Sequence, residues 1–221
     1  MKRNQWLYGI VGIAVVVVLV AAYFVFYGGN TGTADATVDR ANVTITPSDR
    51  TLGNSKAPIL MVEYAAPICP HCAHFNETMF PQLKANYIDT GKVYYVFRVF
   101  PLQSADVAAE AIARCLPKQN YFQFIDLLFR NQPKWDPENG VQDVHGGLVQ
   151  MGRIAGLSAE QVDQCIGNQA EQQRITKVGE DATTRYGING TPTFIINGQV
   201  HSTFENYQEM KDYLDAQLKK S

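Results

Sequence analysis

Cys69 and Cys72 stand three positions apart, with Pro70 and His71 between them. On a helix that spacing brings two side chains onto one face, so the sulfurs can join as a disulfide or part as two thiols. The chemistry this allows is thiol–disulfide exchange, in which one thiolate attacks a sulfur and another leaves. Which sulfur reacts depends on where the helix begins. If it begins at the motif, Cys69 lies at its N-terminus, where unpaired N–H groups and the helix dipole favour an anion and lower a thiol's pKa. Pro70 suits the first turn, because its missing N–H would have no partner there. His71 offers positive charge or an N–H donor beside the same sulfur. Cys72, one turn inward, is then the less exposed, resolving thiol. A stabilised Cys69 thiolate favours the dithiol, which makes the disulfide form a good oxidant.

The flanking residues place a helix there. Ile59 to Tyr64 is a short apolar run suited to a buried strand, interrupted by Glu63. From His71 to Tyr87 the apolar residues Phe75, Met79, Phe80, Leu83 and Tyr87 recur near helical spacing, with a kink expected at Pro81. Glu63 lies six residues before Cys69. A buried carboxylate there has a raised pKa and could exchange protons with Cys72; the alternative is a strand acid reaching solvent.

Val93 to Phe100 predicts a second strand, closed by Pro101. Helices follow at Ser104 to Cys115, with Ser104 as cap, at Tyr121 to Arg130 and at Val144 to Ala155. Another starts at Ser158, where Gln161 completes a capping box, and a fifth runs from Ala170 to Tyr186 and ends at Gly187. Thr193 to Ile196, Asn197-Gly198 and Gln199 to Ser202 read as strand, turn and strand of a hairpin. Tyr207 to Lys219 closes the chain as a helix. Thr191-Pro192 precedes the hairpin, where a proline does not suit a central ladder. An X-Pro bond beside the active loop, in cis form, would expose the Thr191 backbone to a bound peptide. The order is an α/β unit interrupted by a helical block.

Among 221 residues, 19 basic side chains face 21 acidic ones, a balance that argues against a general nucleic-acid binder. At 46% hydrophobic and 18% charged residues, long-range disorder is not expected. Lys2 and Arg3 precede an apolar stretch from Trp6 to Tyr27, and no further charge follows until Asp35. That stretch is long enough to span a bilayer, and the basic pair before it leaves the amino terminus in the cytoplasm. Residues 1–27 are thus expected to be an N-terminal transmembrane anchor; Ala34-Asp35-Ala36 keeps a cleaved signal peptide open. Residues 28–47, rich in Gly, Thr, Asn and Ala, read as a flexible tether, with the folded part starting near Val43. Either way the rest of the chain works outside the cytoplasm.

Taken together, Glu63, Cys69-Pro70-His71-Cys72, Phe97 to Leu102 and Gly187 to Thr193 make the region from about Ser48 to Lys219 resemble a DsbA-like thiol-disulfide oxidoreductase of the thioredoxin superfamily. The resemblance implies a thioredoxin fold, 48–102 and 187–221, with an inserted α-helical domain, 103–186. It implies a cis peptide before Pro192, substrate binding around the motif, a redox-active Cys69–Cys72 disulfide and no cofactor. Its implied partners are reduced or unfolded exported polypeptides and a membrane quinone-linked thiol oxidase that restores the disulfide. Its implied place is the bacterial inner membrane, single-pass, with the catalytic domain in the periplasm. Thr191 departs from the valine of the best-known DsbA proteins. Threonine there is shared with isomerases and with some DsbA relatives, so a disulfide isomerase or reductase of the same fold stays open.

Cys115 and Cys165 both fall in the helical block. In an oxidising compartment two such thiols suggest a structural disulfide; two buried thiols are the alternative. A four-cysteine zinc site is disfavoured because only Cys69 and Cys72 form a close pair. A tethered chaperone, with the motif as a mere staple, is the remaining reading from another class. Pro67 and Ile68 are expected to be exposed, giving unfolded substrates an apolar contact.

Overall fold

The computed structural model describes residues 38–220, and residues from Asp39 onward gather into one compact unit. The apolar stretch at 1–27 lies outside the described residues; among those described, no helix is long and apolar enough to cross a membrane. The flexible tether expected over 28–47 does not reach so far. Strands β1 (Val38–Arg40) and β2 (Val43–Ile45) pair as a two-stranded sheet. Val43 and Ile45 are buried against Leu60, Val62 and Val96, because alternation around Thr44 turns both β-branched side chains to one face.

A short strand with no clear pattern in the sequence, β3 (Arg50–Leu52), precedes β4 (Ile59–Ala65). All of β4 is buried, as befits a strand covered on both faces. The helix expected from His71 to Tyr87 is broken: α1 (Pro70–Thr78) ends at Met79, α2 (Phe80–Leu83) follows, and a π turn covers Lys84–Ile88. Pro81 is the cause. It has no N–H for the carbonyl of Glu77, and its ring crowds that carbonyl, so the break falls ahead of the proline.

Strand β5 (Val93–Val99) runs parallel to β4, with Ile59 opposite Val93 and Glu63 opposite Phe97. The helical block then follows: α3 (Ser104–Cys115), α4 (Tyr121–Arg130), α5 (Gln132–Trp135), α6 (Val144–Ile154), α7 (Ala159–Ile166) and α8 (Gln169–Tyr186). Gln103, not Ser104, caps α3, because the Asp106 carboxylate accepts the N–H groups of both Leu102 and Gln103. Ser158 and Gln161 do form a reciprocal capping box, and Gly187 ends α8 with a φ of 67°.

Strands β6 (Thr193–Ile196) and β7 (Gln199–His201) form the hairpin, and α9 (Tyr207–Leu218) closes the chain. The sheet order is β3-β5-β4-β6-β7. Asn197 and Gly198 turn the hairpin at φ values of 47° and 84°. Asn197 also accepts the Leu60 N–H on its side chain, at 2.9 Å, fastening the turn to β4. Helix α1 packs against α4, and Phe75 from α1 meets Phe194 from β6 with ring centroids 4.9 Å apart. The inserted helices therefore share one core with the sheet and stand beside the end of β4 from which the cysteines project.

Candidate active site

Where β4 stops, the chain turns through Ala66, Pro67 and Ile68 and starts α1 at Cys69. Cys69 is the N-cap, in extended conformation, with Pro70 in the first turn. Both Cys69 and Cys72 are free, buried thiols. The Cys69 Sγ lies 3.3 Å from the carbonyl oxygen of Thr191, to which the protonated thiol donates. The Thr191–Pro192 peptide is cis. Thr191 comes from the loop after α8, so the two ends of the α/β unit meet at one sulfur.

These contacts separate the two thiols. The pKa of Cys69 falls to about 5, chiefly because the Cys72 thiol donates to its sulfur, with further help from Thr191 and the backbone N–H groups of Cys72 and His71; burial opposes the shift. The Thr191 hydroxyl has no other partner among the described residues, which leaves its O–H for the thiolate. Cys72 moves the other way, well above an ordinary thiol, through burial first and then through its bond to Cys69 and the negative charges of Cys69 and Glu63.

Glu63 is buried on β4 and accepts a hydrogen bond from the Tyr95 hydroxyl. Burial lifts its pKa to about 8, the Tyr95 bond opposes that lift, and the Cys69 charge adds to it. A carboxyl group poised there can hold or release a proton near neutrality, beside a thiol that must lose one to react.

A family model described as Thioredoxin matches residues 45–216. A crystal structure of alpha-DsbA1 from Wolbachia pipientis is 30% identical, covers 80% of this chain and 94% of its own, and superposes with a TM-score of 0.72. The chain is a DsbA-like member of the thioredoxin family. Oxidised BdbD from Bacillus subtilis, at 23% identity, 84% and 99% coverage and a TM-score of 0.68, shares the fold. A Rickettsia typhi protein with the provisional name protein-disulfide oxidoreductase is 36% identical over 152 residues, which are 68% of this chain and 55% of that protein. The chain thus spans little more than half the length of the Rickettsia relatives it matches.

Within this DsbA-like frame the structure gathers Cys69, Cys72, Pro70, Thr191 and Pro192 in one place, with Glu63 beneath them. His71 contributes through its backbone N–H; its exposed ring makes no hydrogen bond among the described residues. Cys115, at the end of α3, and Cys165, on α7, are bonded to each other at 2.03 Å. The apolar contact expected from Pro67 and Ile68 is not available, because both are buried. They point inward because Ile68 joins the main core while its N–H is held by Asp106. Leu102 is the exposed apolar residue in the loop after β5, at 48% exposure. A cavity of about 320 Å³ beneath α8, lined by Arg98, Arg114 and Arg174, contains none of the site residues. Each of those arginines is paired with an acid, so the cavity is a set of ion pairs apart from the thiols.

Three residues at the site have no clear signal in the sequence. Tyr95 sits on the same face as Glu63, a placement the alternation of β5 allows but only the β4–β5 register fixes. Asp106 and Gln132 come from the helical block, and no spacing in the sequence links either of them to residue 69.

Proposed function

We propose that the chain is a thiol-disulfide oxidoreductase that introduces disulfide bonds into exported proteins through Cys69-Pro70-His71-Cys72. The observation that carries this reading is the pair of opposed thiols: Cys69 at the N-cap of α1, against the Thr191 carbonyl and held near pKa 5, Cys72 buried and kept protonated. In the disulfide form, a substrate thiolate attacks the Cys69 sulfur, a mixed disulfide forms and Cys72 leaves. Cys72 takes up a proton, for which the Glu63 carboxyl group is the source. A second substrate thiolate then attacks the substrate sulfur of the mixed disulfide, and Cys69 leaves as the stabilised thiolate. The substrate loses two electrons and gains a disulfide; this chain is left as the dithiol. A low-pKa thiol is the better leaving group, so the geometry favours this direction.

Relatives named protein-disulfide oxidoreductase and disulfide bond formation protein support the activity. Regeneration is assigned to a membrane quinone-linked thiol oxidase, and the protein itself to the bacterial inner membrane, held by residues 1–27 with the folded part in the periplasm. The Cys115–Cys165 bond fits such an oxidising compartment. Thr191 favours a second reading, isomerase or reductase, in which Cys69 attacks a substrate disulfide. Oxidation of a reduced test protein separates the outcomes: it is expected to be lost in Cys69→Ser. Unchanged oxidation in that variant would overturn the mechanism, and rapid unscrambling with poor oxidation would select the isomerase.

A further inference from the structure

The loop that delivers Cys69 is buried, and burial obliges every backbone N–H and C=O in it to find a partner. The strand ladder has ended at Ala65, so only some are met by backbone: Cys69 N–H bonds to the Ala66 carbonyl, and Ala73 N–H to the Cys69 carbonyl. Further partners come from two side chains of the inserted helical block. Gln132, at the start of α5, donates one amide N–H to the Pro67 carbonyl at 2.8 Å and the other to the Cys69 carbonyl at 3.1 Å. Asp106, on the first turn of α3, accepts the Ile68 N–H at 3.0 Å on one oxygen and the Leu102 and Gln103 N–H groups on the other. Asp106 is fully buried and Gln132 is 6% exposed, so water does not replace either bond.

We propose that Gln132 and Asp106 are positioning residues for the Cys69 sulfur, fixing the Pro67–Ile68–Cys69 backbone so that the N–H groups of α1 converge on Sγ. The inference rests on Cys69 being the reactive thiol. The Pro67–Ile68 peptide is held at its carbonyl by Gln132 and at its N–H by Asp106, and Gln132 also holds the carbonyl of the Cys69–Pro70 peptide, so these two groups cannot rotate while the Cys69 N–H between them stays on the Ala66 carbonyl. Rotation at the N-cap would swing Sγ away from the His71 and Cys72 N–H groups. The helical block thereby sets the reactivity of a thiol that the α/β unit carries.

The test uses the folded protein in its reduced state and reads the sulfur directly. Gln132→Met fills the same space without donors; Gln132→Glu keeps length and shape but offers an acceptor where a donor is required. The ultraviolet thiolate titration of Cys69 and the dithiol–disulfide equilibrium with glutathione are measured beside thermal stability. The expected result is a higher Cys69 pKa and an equilibrium shifted away from the dithiol by roughly two- to tenfold, the span that one hydrogen bond commands. Gln132→Glu is expected to shift both further than Gln132→Met. A fall in stability with both thiol readings unchanged would overturn the proposal, since a merely structural residue gives that result. If Gln132→Met does not fold, Asp106→Asn, which keeps one acceptor oxygen, takes its place: a raised Cys69 pKa supports the proposal, and an unchanged one overturns it. A parent protein whose Cys69 titrates as an ordinary thiol would sink the underlying reading instead, which keeps the two failures distinct.

Discussion

Cys69 and Cys72 carry the same group, yet hydrogen-bond donors pull one down and burial pushes the other up. Between them and the sheet lies Glu63, whose behaviour can be tested by pH. Its folded pKa, about 8, lies above its ordinary 4.5, so ionising it inside the fold is opposed. Its effect on stability is therefore absent below pH 4.5 and grows as a loss while pH rises toward 8. A Glu63→Gln variant is expected to match the parent in urea unfolding at the acid end and to exceed it above pH 8, by a few kcal/mol at roughly 1.4 kcal/mol per pKa unit. Equal stability at both ends would show that the carboxyl group is not desolvated. Tyr95→Phe removes the hydrogen bond that stabilises the ionised Glu63. The Glu63 titration, followed by carboxyl NMR, is expected to move upward; a downward move would remove Tyr95 from the proton site.

At the scale of elements, the hairpin shows how turn chemistry holds the central strand. Gly198 has φ 84°, and a Cβ built there would meet the Ala41 carbonyl oxygen at 2.7 Å. Gly198→Ala is expected to lower unfolding free energy by about 1–3 kcal/mol, read as a shifted urea midpoint, and a neutral result would mean that the turn relaxes freely. This turn was legible in the sequence because Asn-Gly has a local cause. So was the start of α1, since Cys69-Pro70 marks it, and the capping box at Ser158 and Gln161. What was not legible depends on distant partners. The cap of α3 moved to Gln103 because a carboxylate three residues on also serves the loop before Cys69. Strand β3 is too short to show a pattern, and it exists because β5 offers it an edge. The burial of Pro67 and Ile68 follows from the helical block standing over them, which no local spacing announces.

For the molecule as a whole, the insertion is what turns a small sheet and its helices into one core. Its own closure is the Cys115–Cys165 bond, which spans 50 residues of sequence. A loop of that size constrains the unfolded chain by about 4 kcal/mol in the entropy model. Replacing both cysteines with alanine is expected to destabilise the protein by roughly 2–4 kcal/mol in urea, with the motif cysteines still reactive toward a thiol reagent. A loss of thiol reactivity in a folded variant would mean that this bond also shapes the site.

The most direct measurement is the ultraviolet absorbance of thiolate in the reduced protein as pH is raised. The expected result is one sulfur, assigned to Cys69 by its loss in Cys69→Ser, ionising near pH 5 while Cys72 stays protonated through neutrality. Ionisation of both sulfurs near the ordinary cysteine value of about 8.5 would contradict it, and with it the oxidase chemistry built on that anion.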